Sequence, residues 1–188
     1  MFHDHAVAVL RALRERVALH LRAHQLSAST IFQIAVELQS IAAESSASLL
    51  INDRVDVALT ARAHGVHLGR RSLPIPVARR LIGHGLIGYS AHGEQECVAA
   101  ERDGADFVFV GSIYPTASHP DRTPGGIALL ERCVAAGRKP VLAIGGVTAE
   151  NAAEVRAAGA HGAAVIRAVW DAPRPVQAAE ELARLLER

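Results

Sequence analysis

The stretch Glu94–Gly111, EQECVAAERDGADFVFVG, decides the fold. Its first part is polar and alanine-bearing at helical period, stops at Gly104, and gives way to the apolar run Asp106–Gly111. A helical segment closed by glycine and followed by a short apolar run is one helix–strand unit. The same unit recurs on both sides of it. Strand-like runs read Val17–Arg22 (VALHLR), Ser48–Asn52 (SLLIN), Gly65–Leu68 (GVHL), Leu86–Ser90 (LIGYS), Pro140–Gly145 (PVLAIG) and Gly162–Arg167 (GAAVIR). Helical period covers Asp4–Arg14, Ser27–Ser45, Val55–Ala63, Pro74–His84, Gly126–Gly137, Glu150–Gly159 and Pro175–Glu187. Apolar strands set between helices indicate a parallel sheet covered by helices. Residues 1–188 are therefore expected to form a single TIM-barrel-like domain, α/β in class. Because the chain opens on a helix, its (β/α)8 barrel is expected to lack or abbreviate the first strand. A doubly wound sheet competes, but no GxGxxG follows the first strand and the glycine-bearing turns are spread over many junctions.

Composition narrows the function. Half of the 188 residues are hydrophobic, enough for a sizeable core. Twenty basic residues against nineteen acidic ones give a formal charge of +1, which removes the electrostatic footprint of a nucleic-acid binder. No run approaches the ~18 apolar residues of a membrane span, and Met1–Arg16 lacks the order of a signal peptide. Cys97 and Cys133 form no CxxC pair, so reduced thiols in a cytoplasmic protein are expected. Lys139 is the single lysine, and it precedes a strand. That places it on the stabilising face of a barrel and argues against Schiff-base chemistry.

In a barrel the chemistry lies where strands end. Strand alternation puts His20, Arg22 and His24 on one face, a cationic set that suits an anionic ligand or, equally, a solvated edge. Asn52 and Asp53 offer oxygen ligands for Mg²⁺, and also the composition of a turn and helix cap. Gly145 and Gly146 let backbone N–H groups approach an anion, with Arg167 at the next strand end as a phosphate partner. These are the loops that hold phosphate in this fold; a tight turn and a solvated arginine are the alternative. The loop Gly111–Pro120, GSIYPTASHP, adds Ser112, Thr116, Ser118 and His119, whose hydroxyls and amides suit phosphate oxygens or merely solvent. His64 and His67 flank a short strand without a third metal ligand at a convincing position.

The order LINDRVDVAL, GVHLG, ADFVFVGSIYPTASHP, PVLAIGGVT and NAAEVRAAGAHGAAV resembles the thiamine-phosphate synthase and TenI superfamily from about Val17 onward. The resemblance implies a (β/α)8 barrel whose strand ends bind a thiazole phosphate and a pyrimidine pyrophosphate. The synthase joins the two in thiamine biosynthesis, releases pyrophosphate and uses Mg²⁺. It implies pyrimidine binding by Asn52, Mg²⁺ at Asp53, pyrophosphate contacts from Arg22 and Ser90, and substrate contacts from Thr116 and Ser118. It further implies thiazole-phosphate binding by Gly145, Gly146, Ile166 and Arg167. The chain departs from the pattern in one direction. A QLREK-like motif reads His20-Leu21-Arg22-Ala23-His24, so His24 stands at a lysine position and His20 at a glutamine. His119 stands at a second lysine position, and Ser72 where a second metal carboxylate belongs.

The expected function is thus a thiamine-phosphate synthase-like transferase, with Arg22, Ser90 and His119 as its catalytic group. Two alternatives accompany it. One is a TenI-like tautomerase acting on a thiazole phosphate, whose acid/base histidine is replaced here by Ser112. The other is a phosphate-ligand-binding homologue without turnover. A phosphorylated small molecule is the expected partner. A homodimer is expected to shield the strand edge left by the abbreviated barrel.

Overall fold

The computed structural model of the chain describes residues 2–117, 120 and 123–187. Its strands are β1 (Ala18–Leu21), β2 (Ser48–Asn52), β3 (Gly65–Leu68), β4 (Leu86–Ala91), β5 (Phe107–Val110), β6 (Val141–Ile144) and β7 (Gly162–Ala164). The helices are α1 (Phe2–Leu13), α2 (Ala28–Ser45), α3 (Val55–Thr60), α4 (Ile75–Ile82), α5 (Glu94–Asp103), α6 (Gly126–Ala136), α7 (Ala152–Ala157), α8 (Arg167–Trp170) and α9 (Pro175–Leu186). The strands follow the sequence in one seven-stranded sheet, β1-β2-β3-β4-β5-β6-β7. Strand and helix alternate in the α/β order of a TIM-type fold.

The chain divides into two compact units, Met1–Gly88 and Tyr89–Arg188. In the first, β1 pairs in parallel with β2 and β2 with β3, in the registers Leu21↔Ile51 and Asn52↔His67. Leu49, Leu50, Ile51, Val66 and Leu68 are almost wholly withdrawn from solvent, and Leu10 of α1 and Ala35 of α2 join this core. Their β-branched and leucine-rich character is why the strands read as continuous apolar runs. The Ser27 hydroxyl starts α2 by accepting from the Thr30 N–H at 3.1 Å, a side-chain N-cap. Gly65 is required by close backbone approach, since a Cβ there would lie 2.1 Å from the Leu86 carbonyl oxygen.

In the second unit β5, β6 and β7 are parallel neighbours, with Val110↔Ala143 and Ile144↔Ala164 in register. Val110, Leu130, Cys133, Ala143 and Val155 form its interior. Cys97 and Cys133 are both buried free thiols. They share a hydrogen bond between α5 and α6, and together with burial it pushes the Cys97 thiol up.

Two boundaries differ from the sequence reading in ways that matter for the site. The run Val17–Arg22 narrows to Ala18–Leu21, so Arg22 and His24 follow β1 instead of extending it. The run Gly162–Arg167 stops at Ala164, and Arg167 opens α8 instead of ending a strand. The reason is local hydrogen bonding. The Ile166 carbonyl accepts from the N–H groups of Val169 and Trp170 at 3.1 and 2.9 Å, which closes a helical turn and ends the ladder. Among the described residues, no helix is long and apolar enough to cross a membrane.

Candidate active site

In the first unit a connected set of polar side chains gathers at the ends of β1, β2 and β3. Asp53 follows β2 at φ 62°, in the left-handed region, and its N–H donates to the His67 carbonyl at 2.9 Å. That backbone turn brings its carboxylate among three neighbours. Asn52 Nδ2 donates to Asp53 Oδ2 at 2.6 Å, and the Ser72 hydroxyl donates to Oδ1. Ser72 Oγ in turn accepts from the Gly69 N–H at 2.7 Å. His24 Nδ1 stands 3.8 Å from Asp53 Oδ2, while Arg22 Nε donates to His24 Nε2 at 2.8 Å. Because Nε2 accepts, the His24 proton is on Nδ1, the nitrogen turned toward the carboxylate. Arg22, His24, Asn52, Asp53 and Ser72 therefore form one network, about a third of the Asp53 side chain remaining open at 35 % exposure.

His20 belongs to β1. Its ring lies 5.3 Å from the ring of His67, tilted by 57°. Burial pushes His20 down to about 4 and His67 down to about 3, so both are neutral imidazoles near neutral pH. His64 is a core residue, its Nδ1 accepting from the Leu49 N–H at 3.1 Å.

The second unit carries the glycine turn that the sequence singled out. Gly145 and Gly146 leave β6 at φ +94° and +69°, a conformation that glycine adopts without penalty. Space requires glycine as well. A Cβ at Gly145 would fall 2.0 Å from Ser112 Oγ, and one at Gly146 2.6 Å from the Pro115 carbonyl oxygen. The turn is tied down by the Ile113 and Tyr114 N–H groups, which donate to the Ile144 and Gly145 carbonyls, each at 3.0 Å. Tyr114 also donates its hydroxyl to Glu154 at 2.6 Å. Asn151 completes the turn: its Oδ1 accepts from the Thr148 N–H at 2.9 Å and its Nδ2 donates to the Gly146 carbonyl at 3.0 Å.

The Ile144↔Ala164 register sets the loop after β6 beside the loop after β7, which carries Ile166 and Arg167. Ile166 is exposed, and Arg167 is exposed at the first position of α8. Ser90 lies within β4 and Thr116 in the loop that leaves β5. Ser118 and His119 lie outside the described residues. Sequence reasoning did not single out Asn151, Tyr114 or the donor role of Ser72. For Asn151 a signal existed, an Asn three residues beyond Thr148, the spacing of a side chain that reaches back to a helix start.

A family model described as thiamine monophosphate synthase matches residues 3–169. The chain belongs to the thiamine monophosphate synthase family. It is 42% identical over 166 residues to a thiamine-phosphate synthase of Chloroflexus aurantiacus, spanning 88% of this chain and 77% of that one. It is 39% identical over 173 residues to a thiamine-phosphate synthase of Moorella thermoacetica, covering 91% and 82%. Among solved structures, thiamine phosphate pyrophosphorylase from Pyrococcus furiosus superposes with a TM-score of 0.90 at 34% identity, over 98% of this chain and 88% of that one.

Proposed function

We propose that this protein is a thiamine-phosphate synthase, a transferase that joins a pyrimidine pyrophosphate to a thiazole phosphate. The observation that carries this reading is the network converging on Asp53, in a chain whose relatives bear that name. In the reaction a carbon–oxygen bond of the pyrimidine pyrophosphate breaks and pyrophosphate leaves with the electron pair. A bond from the thiazole ring to that carbon replaces it. The chain's task is to hold two anionic substrates and to stabilise charge on the departing group.

In this proposal Asn52 binds the pyrimidine and His20 contacts substrate, while Arg22, His24, Ser90 and His119 serve the pyrophosphate. Thr116 and Ser118 contact substrate, and the Gly145–Gly146 amides with Ile166 and Arg167 hold the thiazole phosphate. Arg22 is held in place by His24, which its Nε–H engages. The family implies Mg²⁺. Among the described residues no group of three or more His, Cys, Asp or Glu side chains gathers for a metal. The donors at Asp53 nevertheless fit this ion: one carboxylate, the Asn52 amide and the Ser72 hydroxyl are hard oxygen ligands. Mg²⁺ commonly takes one or two carboxylates and completes its shell with substrate phosphates. When bound it would neutralise charge on the leaving pyrophosphate. Single-domain behaviour over residues 1–188, a cytoplasmic location and a homodimer belong to the same proposal; the family model running from residue 3 to 169 supports the first.

Product formation from the two phosphorylated halves, with Mg²⁺ and with excess chelator, tests the reading. Turnover is expected with Mg²⁺, and Asp53→Ala should lower it at least ~100-fold, since that change removes the only carboxylate of the network. Isomerisation of a thiazole phosphate in chelator, without joining, would identify a tautomerase instead. Ligand binding without either reaction would identify a homologue that only binds.

A further inference from the structure

We infer that Cys97 and Cys133 form a reversible disulfide site, a thiol pair that a two-electron oxidant such as hydrogen peroxide converts into a covalent tie between α5 and α6. They are the chain's only two cysteines, and the proposed reaction uses neither. Both are free thiols, 3% and 0% exposed. Two polar ties hold their helices side by side. Arg132 Nε donates to Glu94 Oε1, three residues before Cys97 and one before Cys133. The Arg138 N–H donates to Glu101 Oε2 at 2.8 Å, four residues after Cys97 and five after Cys133. The thiols thus lie between two fixed points on both helices, and the Cys97 S–H meets Cys133 in a hydrogen bond. When one of them is oxidised, the other is its nearest reagent.

One peroxide balances the reaction. The Cys133 sulfur, as thiolate, attacks a peroxide oxygen. The O–O bond breaks, water leaves, and the sulfur becomes a sulfenic acid. The Cys97 sulfur then attacks that sulfur, the S–O bond breaks, and a second water leaves. Two thiols and one peroxide give one S–S bond and two waters, the thiols supplying the protons. Cys133 is the first nucleophile because the Cys97 S–H donates to its sulfur, which together with the Arg132 guanidinium lowers the Cys133 thiol. Buried thiols are inert while the fold is closed. Cys97 lies in the first turn of α5 and Cys133 in the last turn of α6, and helix ends open more readily than helix centres. The reaction is therefore slow, and reclosing brings the two sulfurs together again.

The folded full-length protein, held in excess hydrogen peroxide at pH 8 beside a reduced control, tests this. Intact mass should fall by two hydrogens, both titratable thiols should disappear, and dithiothreitol should restore them. On a denaturing gel without reductant the chain should stay monomeric. Because the chain has two cysteines, these results together admit one bond. The urea midpoint should rise on oxidation and return on reduction, since the tie restricts the unfolded chain. Cys97→Ser and Cys133→Ser should each abolish the two-hydrogen loss; if either fails to fold, the parent protein alone decides. Thiols that survive, that gain oxygen without joining, or that link separate chains would overturn the inference. So would joining only after unfolding in urea, or a midpoint that falls on oxidation. None of these readouts requires turnover, so the result stands apart from the proposed function.

Discussion

Asp53 holds a left-handed backbone at φ 62°, a conformation that costs a non-glycine residue on the order of 1 kcal/mol. The turn returns its carboxylate to Asn52, Ser72 and His24, so local strain is offset by hydrogen bonds that a strand continuation would not make. Arg167 is the residue whose proposed role in phosphate binding is most open to a single measurement. It is an exposed cation at the start of α8, beside the loop that leaves β6. Arg167→Ala should weaken thiazole-phosphate binding by about tenfold or more, as a charge-assisted hydrogen bond contributes roughly 1.5–3 kcal/mol. An unchanged Kd in calorimetry removes Arg167 from the site. At this scale the sequence showed which residues carry charge and hydroxyls, and little of who meets whom. Asn52-Asp53 at a strand end was legible because the pair is contiguous. The Ser72 contact to Asp53 spans 19 positions and depends on where the loop after β3 lies. The tie of Asn151 to Gly146 depends on a turn whose shape no residue type announces.

The elements were more legible than their ends. Strands β2, β3 and β5 were visible because burial on both faces selects runs of Val, Ile, Leu and Phe, whereas β7, Gly162–Ala164, carries none of these and is half-buried. α8 was missed because its four residues, RAVW, span barely one helical turn of ~3.6 residues, too few for a periodicity to repeat. Strand β1 also carries a titration that its sequence did not disclose. His20 looked like a cation for an anionic ligand, yet burial pushes it down to about 4, against an unfolded value near 6.5. The ring of His67, also pushed down by burial, lies 5.3 Å from it. A base depressed in the folded state leaves the unfolded chain to bind the extra proton. Its contribution to stability is therefore complete above pH ~6.5 and is lost as pH falls toward about 4. Replacing His20 by Leu should reduce the loss of stability in that window by up to about 1.4 kcal/mol per pH unit. Urea unfolding of both proteins at pH 7.5, 6 and 5 measures it. Parallel slopes for the two would mean that His20 is solvated and titrates normally.

The whole molecule raises a question of cooperativity that its two compact units make concrete. The boundary between Gly88 and Tyr89 falls inside β4, Leu86–Ala91, and a strand orders as one ladder of backbone hydrogen bonds. A chain of 88 residues also buries a smaller share of its surface than one of 188, so either unit alone is expected to be the less stable object. The proposed single domain should then unfold in one transition. The sequence supplies a convenient reporter: its one tryptophan, Trp170, and both tyrosines, Tyr89 and Tyr114, belong to the second unit. Fluorescence from Trp170 follows that unit, whereas far-ultraviolet circular dichroism follows helices of both. Coincident midpoints in urea are expected, and a helical signal that separates from the tryptophan signal would show two domains. The same titration reads the proposed homodimer. Dissociation coupled to unfolding makes the midpoint rise with protein concentration, because mass action favours the associated folded form. Outer strands β1 and β7 are the sheet positions at which a partner chain would cover unpaired backbone. A midpoint that is constant from ~1 to ~100 μM protein, with coincident probes, would leave a cooperative monomer and remove the dimer from the proposal.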